Sequence, residues 1–289
     1  MEAAAPLTLL VDCQVAMPNI EIEALAHELR AAREAGHMVP VPPSSRPGFD
    51  IDAAYAVEGT LKRWREASGH RAVGWKVGYA NKAMWRVLKL ETLVWGHMYD
   101  DTVYYALGNS ATLTLSHTRS LKIEPEIVFG LKQTIASPGL DAAAALQAID
   151  WIALGFEIID CPYPDWKFQP GDFVASFGLH AALVIGDRLP VRAEQIPNLA
   201  EELTRFKVRM SKNGEFVEEG SAKNSLRSPA LCLAELGAAI LRRTPDEPLA
   251  AGELVSSGTL TAGHLVQSGD RWTAELEGLA LPPLTLQLL

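Results

Sequence analysis

The stretch LKIEPEIVFGL, residues 121–131, places two glutamates where a cation can use them. Odd positions Leu121, Ile123, Ile127, Phe129 and Leu131 are apolar, and even positions include Lys122, Glu124 and Glu126. Side chains of a strand alternate between its faces, so Glu124 and Glu126 share one face with roots about 7 Å apart. Like charges that close repel unless a counter-charge intervenes. Oxygen ligands of this type suit Mg²⁺, Mn²⁺ or Ca²⁺. A strand with one solvent-facing polar side shows the same alternation, and the pair alone does not separate the two readings. A second acidic segment, GFEIID at 155–160, adds weight to the metal. Glu157 lies between Phe156 and Ile158, and a carboxylate in such surroundings needs a partner, a cation or a salt bridge. Asp160 follows at the strand end.

Three further segments have reactive side chains. In GWKVG, residues 74–78, Lys76 sits between Trp75 and Val77. A lysine in apolar surroundings can serve as a base or proton shuttle, or it can pack its stem and send its tip to water. In SSGTLT, residues 256–261, Ser257, Gly258 and Thr259 can offer N–H and hydroxyl groups to a carboxylate, or they form a plain turn. His180 in FGLHAALVIG faces a pocket or, the favoured reading, is a satisfied core histidine. The seven histidines show no H-x-x-x-H pairing, which disfavours zinc. No phosphate-binding glycine motif and no G-x-S-x-G elbow occurs, so nucleotide binding and serine hydrolysis have no support.

The elements that must position these groups fall into two parts. Asn19 can cap a first helix from Ile20, with Ile22, Leu25, Ala26 and Leu29 on one face and Gly36 as the stop. A Pro- and Ser-rich loop at 39–48 precedes a second helix from about Asp52 to Ser68, closed by Gly69. From 71 the pattern changes to strands at 71–78, 111–116, 121–131, 152–160 and 181–186, with a helix capped by Asn81 and another at 141–150. Asn213-Gly214 marks a hairpin within 205–219. Ser228-Pro229 opens a helix running to about Arg243. Short Gly-broken strands end the chain. Helices first and many strands later imply an α+β architecture with a largely antiparallel, rolled or sandwiched sheet. Residues 1–70 read as an N-terminal helical region and 71–289 as the catalytic domain.

The bulk properties narrow the function classes. The 289 residues are 48% hydrophobic and 21% charged, ordinary globular composition. A net charge of −9 argues against wrapping nucleic acid, although a local cation can still reverse the field inside one pocket. Cys13, Cys161 and Cys232 form no CxxC pair, which suits a reduced, cytoplasmic setting. The beginning, MEAAAPLTLLVDC, lacks the basic region of a signal peptide, and no apolar run is long enough for a membrane span.

In this order the pieces resemble the fumarylacetoacetate hydrolase superfamily, in its branch of 2-hydroxypenta-2,4-dienoate (2-oxopent-4-enoate) hydratases and 2-oxo-3-hexenedioate decarboxylases. The resemblance runs from about Ala54 to the C-terminus, through GWKVG, WGHMYDDTVY, KIEPEIVFGL, GFEIIDCPYPDW, DFVASFGLHAALVIG, GELVSSGTLTAG and SGDRWTAELEGLA. E-P-E followed by E-I-I-D and D-W is its most specific combination. It implies a mixed β-roll or sandwich behind a small N-terminal helical part. It implies Mg²⁺ or Mn²⁺ on Glu124, Glu126 and Glu157, with Lys76 as the active-site lysine. Asp100 or Asp101, and the 256–259 loop, are implied as pocket groups, with Asp100 the catalytic choice. The implied substrate is a small 2-oxo acid from aromatic-compound catabolism, and the implied assembly is a homo-oligomer, a dimer or larger. Hydration of a 2-hydroxy-2,4-dienoate is the expected reaction; decarboxylation, C–C hydrolysis of an acylpyruvate and a non-catalytic subunit are the alternatives. Cys161, Pro162, Ser176, Phe177 and Arg227 depart from the branch at positions expected near the pocket.

Overall fold

The computed structural model describes residues 21–114 and 118–289. The Asn19 cap and residues 115 and 116 of the strand expected over 111–116 lie outside the described residues. Two helices come first, α1 (Ile22–Glu34) and α2 (Ile51–Ala67). Asp50 caps α2, its side chain accepting from the Ala53 N–H.

A nine-stranded mixed sheet forms the platform. Its order is β2 (Val94–Tyr99), β1 (Ala72–Gly78), β11 (Leu254–Thr259), β5 (Leu121–Leu131), β6 (Ile149–Asp160), β7 (His180–Ile185) and β3 (Val103–Tyr105). Two short strands join off this path, β12 (His264–Leu265) on β5 and β8 (Leu189–Pro190) on β6. Neighbours are antiparallel except β1 with β11 and β3 with β7. The second sheet has five strands in the order β10 (Glu215–Ser221), β9 (Lys207–Lys212), β13 (Arg271–Glu277), β14 (Leu284–Leu288) and β4 (Ser110–Leu113). Asn213-Gly214 joins β9 and β10 as a two-residue hairpin turn.

One core lies among both sheets and their helices. Ile127, Phe129 and Phe156 of the first sheet share it with Val208, Met210, Trp272 and Leu286 of the second. The long helix α7 (Pro229–Arg243) buries Leu233, Leu236 and Ile240 in the same cluster. Ser228 caps it and Pro229 opens it, where a missing N–H costs nothing. The shorter helices are α3 (Lys82–Leu88), α4 (Ala142–Gln147), α5 (Pro170–Ala175) and α6 (Ile196–Glu202). A second core joins α1 and α2 to the sheet side: Leu25, Leu29, Val57 and Leu61 pack with Ile159, Tyr163, Phe173 and Leu179.

One expectation is corrected here. The helix read over 141–150 stops at Gln147, and β6 begins at Ile149. Ile149-Asp150-Trp151-Ile152 is β-branched and aromatic, and Ile149 pairs with Leu131 of β5, so tertiary pairing ends the helix early.

Candidate active site

The alternation in β5 is what builds the site. Its odd side chains Leu121, Ile123, Ile127 and Phe129 are buried in the core, and its even ones turn the other way. In the β5–β6 register Glu124 stands directly opposite Glu157, and Glu126 opposite Gly155. Directly opposed side chains have roots about 5 Å apart, so the three glutamates converge on one face. They offer carboxylate oxygens all within 4.8 Å of one another. Glu126 and Glu157 are fully buried, and Glu124 is half-buried at the cavity wall.

β1 and β11 supply the surroundings. Lys76 is 2% exposed; its Nζ lies 3.2 Å from Glu157 Oε2 and donates to the Gly178 carbonyl at 3.0 Å. Its charge also faces the Phe173 ring at 4.6 Å. Gly178 has φ +60, and a Cβ there would stand 2.9 Å from Lys76 Cδ, so a side chain would displace the lysine. The β11 ladder shifts register between Ser256 and Thr259. Gly258 takes φ +90 in that bulge and turns its N–H onto Glu126 Oε2 at 2.9 Å. The Ser256 hydroxyl donates to the same oxygen. On the other side His180 Nδ1–H donates to Glu157 Oε1 at 2.8 Å, and its Nε2 lies 3.0 Å from Thr102 Oγ1.

The protonation states follow from burial and neighbours. Burial pushes the Glu124 carboxyl up to about 7; Lys76 pulls against this and Glu157 adds to it. Burial and then the Glu157 charge hold Glu126 well above the usual carboxylate range. Burial works against ionised Glu157 too, but Lys76 and His180 outweigh it and hold that group low. Burial keeps His180 below the usual imidazole value.

These residues fit a divalent cation. Glu126 Oε1 is buried with no hydrogen-bond partner among the described residues, and Glu157 Oε2 meets only the charge of Lys76. Buried carboxylate oxygens without donors are costly. A hard cation among three carboxylates removes that cost and supplies the charge the trio lacks.

The site opens into a cavity of about 550 Å³ lined by Lys76, Lys122, Glu124, Gly258 and Thr259, with Tyr79, Trp166, Phe168 and Phe173 as its aromatic wall. Two candidates stand elsewhere. Asp100 is exposed, accepting from the Arg71 N–H at 3.2 Å beside His70, and is not among the residues lining this cavity. The strand β2 ends at Tyr99, and the Asp100-Asp101 turn faces water. Ser257 is buried, and its hydroxyl donates to the Ile127 carbonyl at 2.8 Å, holding β11 to β5. The bulge sends that side chain inward while Gly258 and Thr259 reach the cavity.

The residues that depart from the family pattern are not in the lining either. Cys161 is buried with its Sγ toward the Tyr163 carbonyl, and the Pro162 carbonyl accepts from the Val39 N–H. Ser176 pairs with the Tyr163 hydroxyl at 2.6 Å, Phe177 lies under the Arg33 guanidinium, and Arg227 is exposed. Four of them therefore pack with the N-terminal helices and the loop beneath them.

Sequence reasoning gave no site role to Lys122, Gly178 and Thr102, while Ser256 lay within the 256–259 loop it had named. Lys122 shares the parity of Glu124 and Glu126 and was legible by that signal. Thr102 and Gly178 reach the site through non-local pairing, for which the sequence offers none.

A curled mixed sheet presenting three close carboxylates, two of them fully buried, beside a lysine fits a divalent-metal enzyme with oxygen ligands. The chain belongs to the fumarylacetoacetate hydrolase family: its residues 83–283 match the family described as fumarylacetoacetate (FAA) hydrolase C-terminal. It is 30% identical over 260 residues to 4-oxalocrotonate decarboxylase of Pseudomonas sp. (strain CF600), covering 90% of this chain and 94% of that one. It is 29% identical over 249 residues to 2-hydroxyhexa-2,4-dienoate hydratase of Comamonas testosteroni, covering 86% and 90%. Its fold superposes on 4-oxalocrotonate decarboxylase from Pseudomonas putida G7, solved with magnesium and adipate, with a TM-score of 0.82 at 27% identity over 93% of this chain and 97% of the other.

Proposed function

We propose that the chain is a metal-dependent hydro-lyase that adds water to a 2-hydroxy-2,4-dienoate, equivalently a 2-oxo-4-enoate, in the catabolism of aromatic compounds. The observation that carries this reading is the trio Glu124, Glu126 and Glu157, with ligand oxygens within 4.8 Å of one another, of which Glu124 lines a cavity together with Lys76. These three would hold Mg²⁺ or Mn²⁺. When bound, the ion supplies Lewis acidity to the 2-oxo and carboxylate oxygens of the substrate.

The chain's own residues do the rest. Gly258 N–H and the Ser256 hydroxyl fix Glu126, and His180 fixes Glu157, so two carboxylates are oriented before anything binds. Lys76, held by Glu157 and the Gly178 carbonyl, stands at the cavity wall to move a proton at the substrate's carbon chain. Tyr79, Trp166, Phe168 and Phe173 exclude water from the extended chain. Thr259 lines the cavity, its hydroxyl donating to the Thr261 carbonyl at 3.0 Å.

Decarboxylation is the second reading, favoured by the end-to-end similarity to 4-oxalocrotonate decarboxylases. Product analysis separates the two. With Mg²⁺ present, 2-hydroxypenta-2,4-dienoate yields 4-hydroxy-2-oxopentanoate by NMR under the first; 2-oxohex-3-enedioate releases CO₂ under the second. Neither product, or full turnover in excess EDTA, overturns both. Lys76→Ala is expected to lower turnover about a hundredfold or more with a far smaller effect on metal affinity. Unchanged turnover would make Lys76 purely structural.

The proposal extends to assembly and location. Tyr104, Tyr105 and Leu107 are exposed near the β3 edge and support a homo-oligomer, read out by light scattering in solution. The free buried thiols of Cys161 and Cys232 support a cytoplasmic setting.

A further inference from the structure

A second cavity, of about 540 Å³, shares no lining residue with the catalytic one. Helices α1 and α2, the end of β6 and the start of β7 contribute to its wall. Arg30, Arg33, Arg65 and His70 line it together with Leu61 and Trp64. Every guanidinium here has its carboxylate except one. Arg30 Nε lies 3.6 Å from Glu34. Arg65 pairs with Asp101, which also faces His70 Nδ1 at 3.4 Å. Asp160, a carboxylate of the cavity wall, has Arg119 Nη2 at 2.8 Å and Nε at 2.9 Å on its Oδ2, and its Oδ1 accepts from the backbone N–H groups of Arg119 and Ser120. Asp160 is therefore saturated. Arg33 is left over: among the described residues it makes no ion pair and no side-chain hydrogen bond.

What Arg33 does have is a ring. Its guanidinium carbon sits 4.5 Å from the centroid of Phe177. Stacking of this kind uses the flat face of the guanidinium and leaves its in-plane N–H donors free. Burial chiefly, and then the Arg119 charge, pull this guanidinium down to about 10. It stays charged at neutral pH, and its surroundings do not offset that charge. Arg33 stands in the last turn of α1, where helix partial charge favours a cation. That partial charge supplies no acceptor for the N–H fork.

The missing partner has a definable chemistry. One unmatched positive charge calls for one negative charge, and a planar fork of donors matches a carboxylate in two parallel bonds. Leu61 and Trp64 add apolar wall, and the volume is far more than an inorganic ion fills. We infer that this cavity binds the carboxylate of a small organic acid on the Arg33 guanidinium, at a site separate from the catalytic one. The inference stands whether or not the chain is a hydro-lyase.

Calorimetric titration of the full-length, Mg²⁺-loaded protein with hexanoate tests it, with inorganic phosphate as a second probe at matched ionic strength. Hexanoate is expected to bind more tightly than phosphate. Arg33→Gln should weaken hexanoate binding about tenfold or more, Arg33→Lys should recover part of it, and Glu126→Gln should leave it unchanged. Loss in Glu126→Gln with binding kept in Arg33→Gln would put the acid on the catalytic ion and overturn the assignment. Phosphate binding as tight as hexanoate binding would overturn the organic-acid class, and no hexanoate binding to the wild-type protein would overturn the site. Labelling of the wild-type protein with phenylglyoxal, read by mass spectrometry, needs no variant to fold. Hexanoate should slow modification of Arg33 severalfold while the exposed Arg271 reacts as before. Arg33 labelling at the same rate with and without the acid would overturn the proposal.

Discussion

Two groups of three potential metal ligands occur among the described residues, and each gathers its ligand atoms within 4.8 Å. One is Glu124, Glu126 and Glu157; the other is His70, Asp100 and Asp101. By proximity they are equals. Their surroundings are opposite. Asp100 and Asp101 are exposed at a turn, Arg65 pairs with Asp101, and the Arg71 N–H donates to Asp100. Water and cations already stabilise those charges. The inner group has two fully buried members, one oxygen without any donor, and two carboxyls pushed up by burial. Closeness of carboxylates thus says little by itself. Burial that leaves their charge uncompensated is what calls for a cation.

The widest gap between the two groups should appear on substitution. Glu126→Gln is expected to lower metal-dependent turnover by more than about a thousandfold, since it removes a ligand of the ion that stabilises the developing charge. Circular dichroism should show the fold intact. The double variant Asp100→Asn, Asp101→Asn should keep turnover within about twofold. Comparable losses in the two would erase the distinction. His180→Ala should come next, with Mg²⁺ affinity falling about tenfold to a hundredfold as Glu157 loses its orienting N–H. Unchanged affinity would return His180 to a packing role.

The pH response separates the groups next. Metal ligands must be deprotonated, so binding releases protons. Glu124 is pushed up to about 7 and Glu126 is held well above the usual carboxylate range, both chiefly by burial, so protons compete with a metal ion for these oxygens near neutral pH. As pH falls through 7 the competition with protons grows, and Mg²⁺ affinity should drop by about tenfold per pH unit for each proton displaced. The sign for stability is opposite. A carboxyl raised above its unfolded value stabilises the metal-free fold below the ordinary carboxylate range and loses that contribution as pH rises toward 7. The gain in Tm on adding Mg²⁺ should therefore widen from pH 5 to pH 7.5. A flat gain across that range would mean that the inner carboxylates are not raised.

Much of this site was legible in local patterns, and the rest depended on long-range pairing. Parity along LKIEPEIVFGL put Glu124, Glu126 and Lys122 on one face, and apolar neighbours marked Glu157 as buried. Local signals also gave the Asn81 cap, the Ser228-Pro229 helix start and the Asn213-Gly214 hairpin. The sequence did not show that β1 runs parallel to β11, which carries Lys76 to Glu157 across residues far apart in the chain. Nor did it show the β11 bulge, which turns Ser257 into the sheet and Gly258 toward Glu126. His180 was weighed as core or pocket; it is buried and bonded to Glu157, so the two alternatives were not exclusive. Asp100 is exposed and outside the cavity lining, a placement the sequence does not reveal, because an acidic pair beside an apolar strand looks the same whether it turns inward or into solvent.

The smallest effect belongs to the outer group and tests the comparison from its other side. Arg65 Nη2 pairs with Asp101 while its guanidinium also lies over the Tyr99 ring at 4.6 Å. Removing the carboxylate leaves that stacking in place. Exposed ion pairs are worth up to about 1 kcal/mol and are screened by salt, so Asp101→Ala should lower Tm by about 2 °C or less in dilute buffer, and by still less in 1 M NaCl, where the Debye length is about 3 Å. Adding Mg²⁺ should raise Tm equally in Asp101→Ala and wild type if the ion sits at the inner group. If Asp101→Ala abolished the Mg²⁺-dependent gain while Glu126→Gln kept it, the outer group would be the metal site, and burial would have been the wrong criterion for choosing between them.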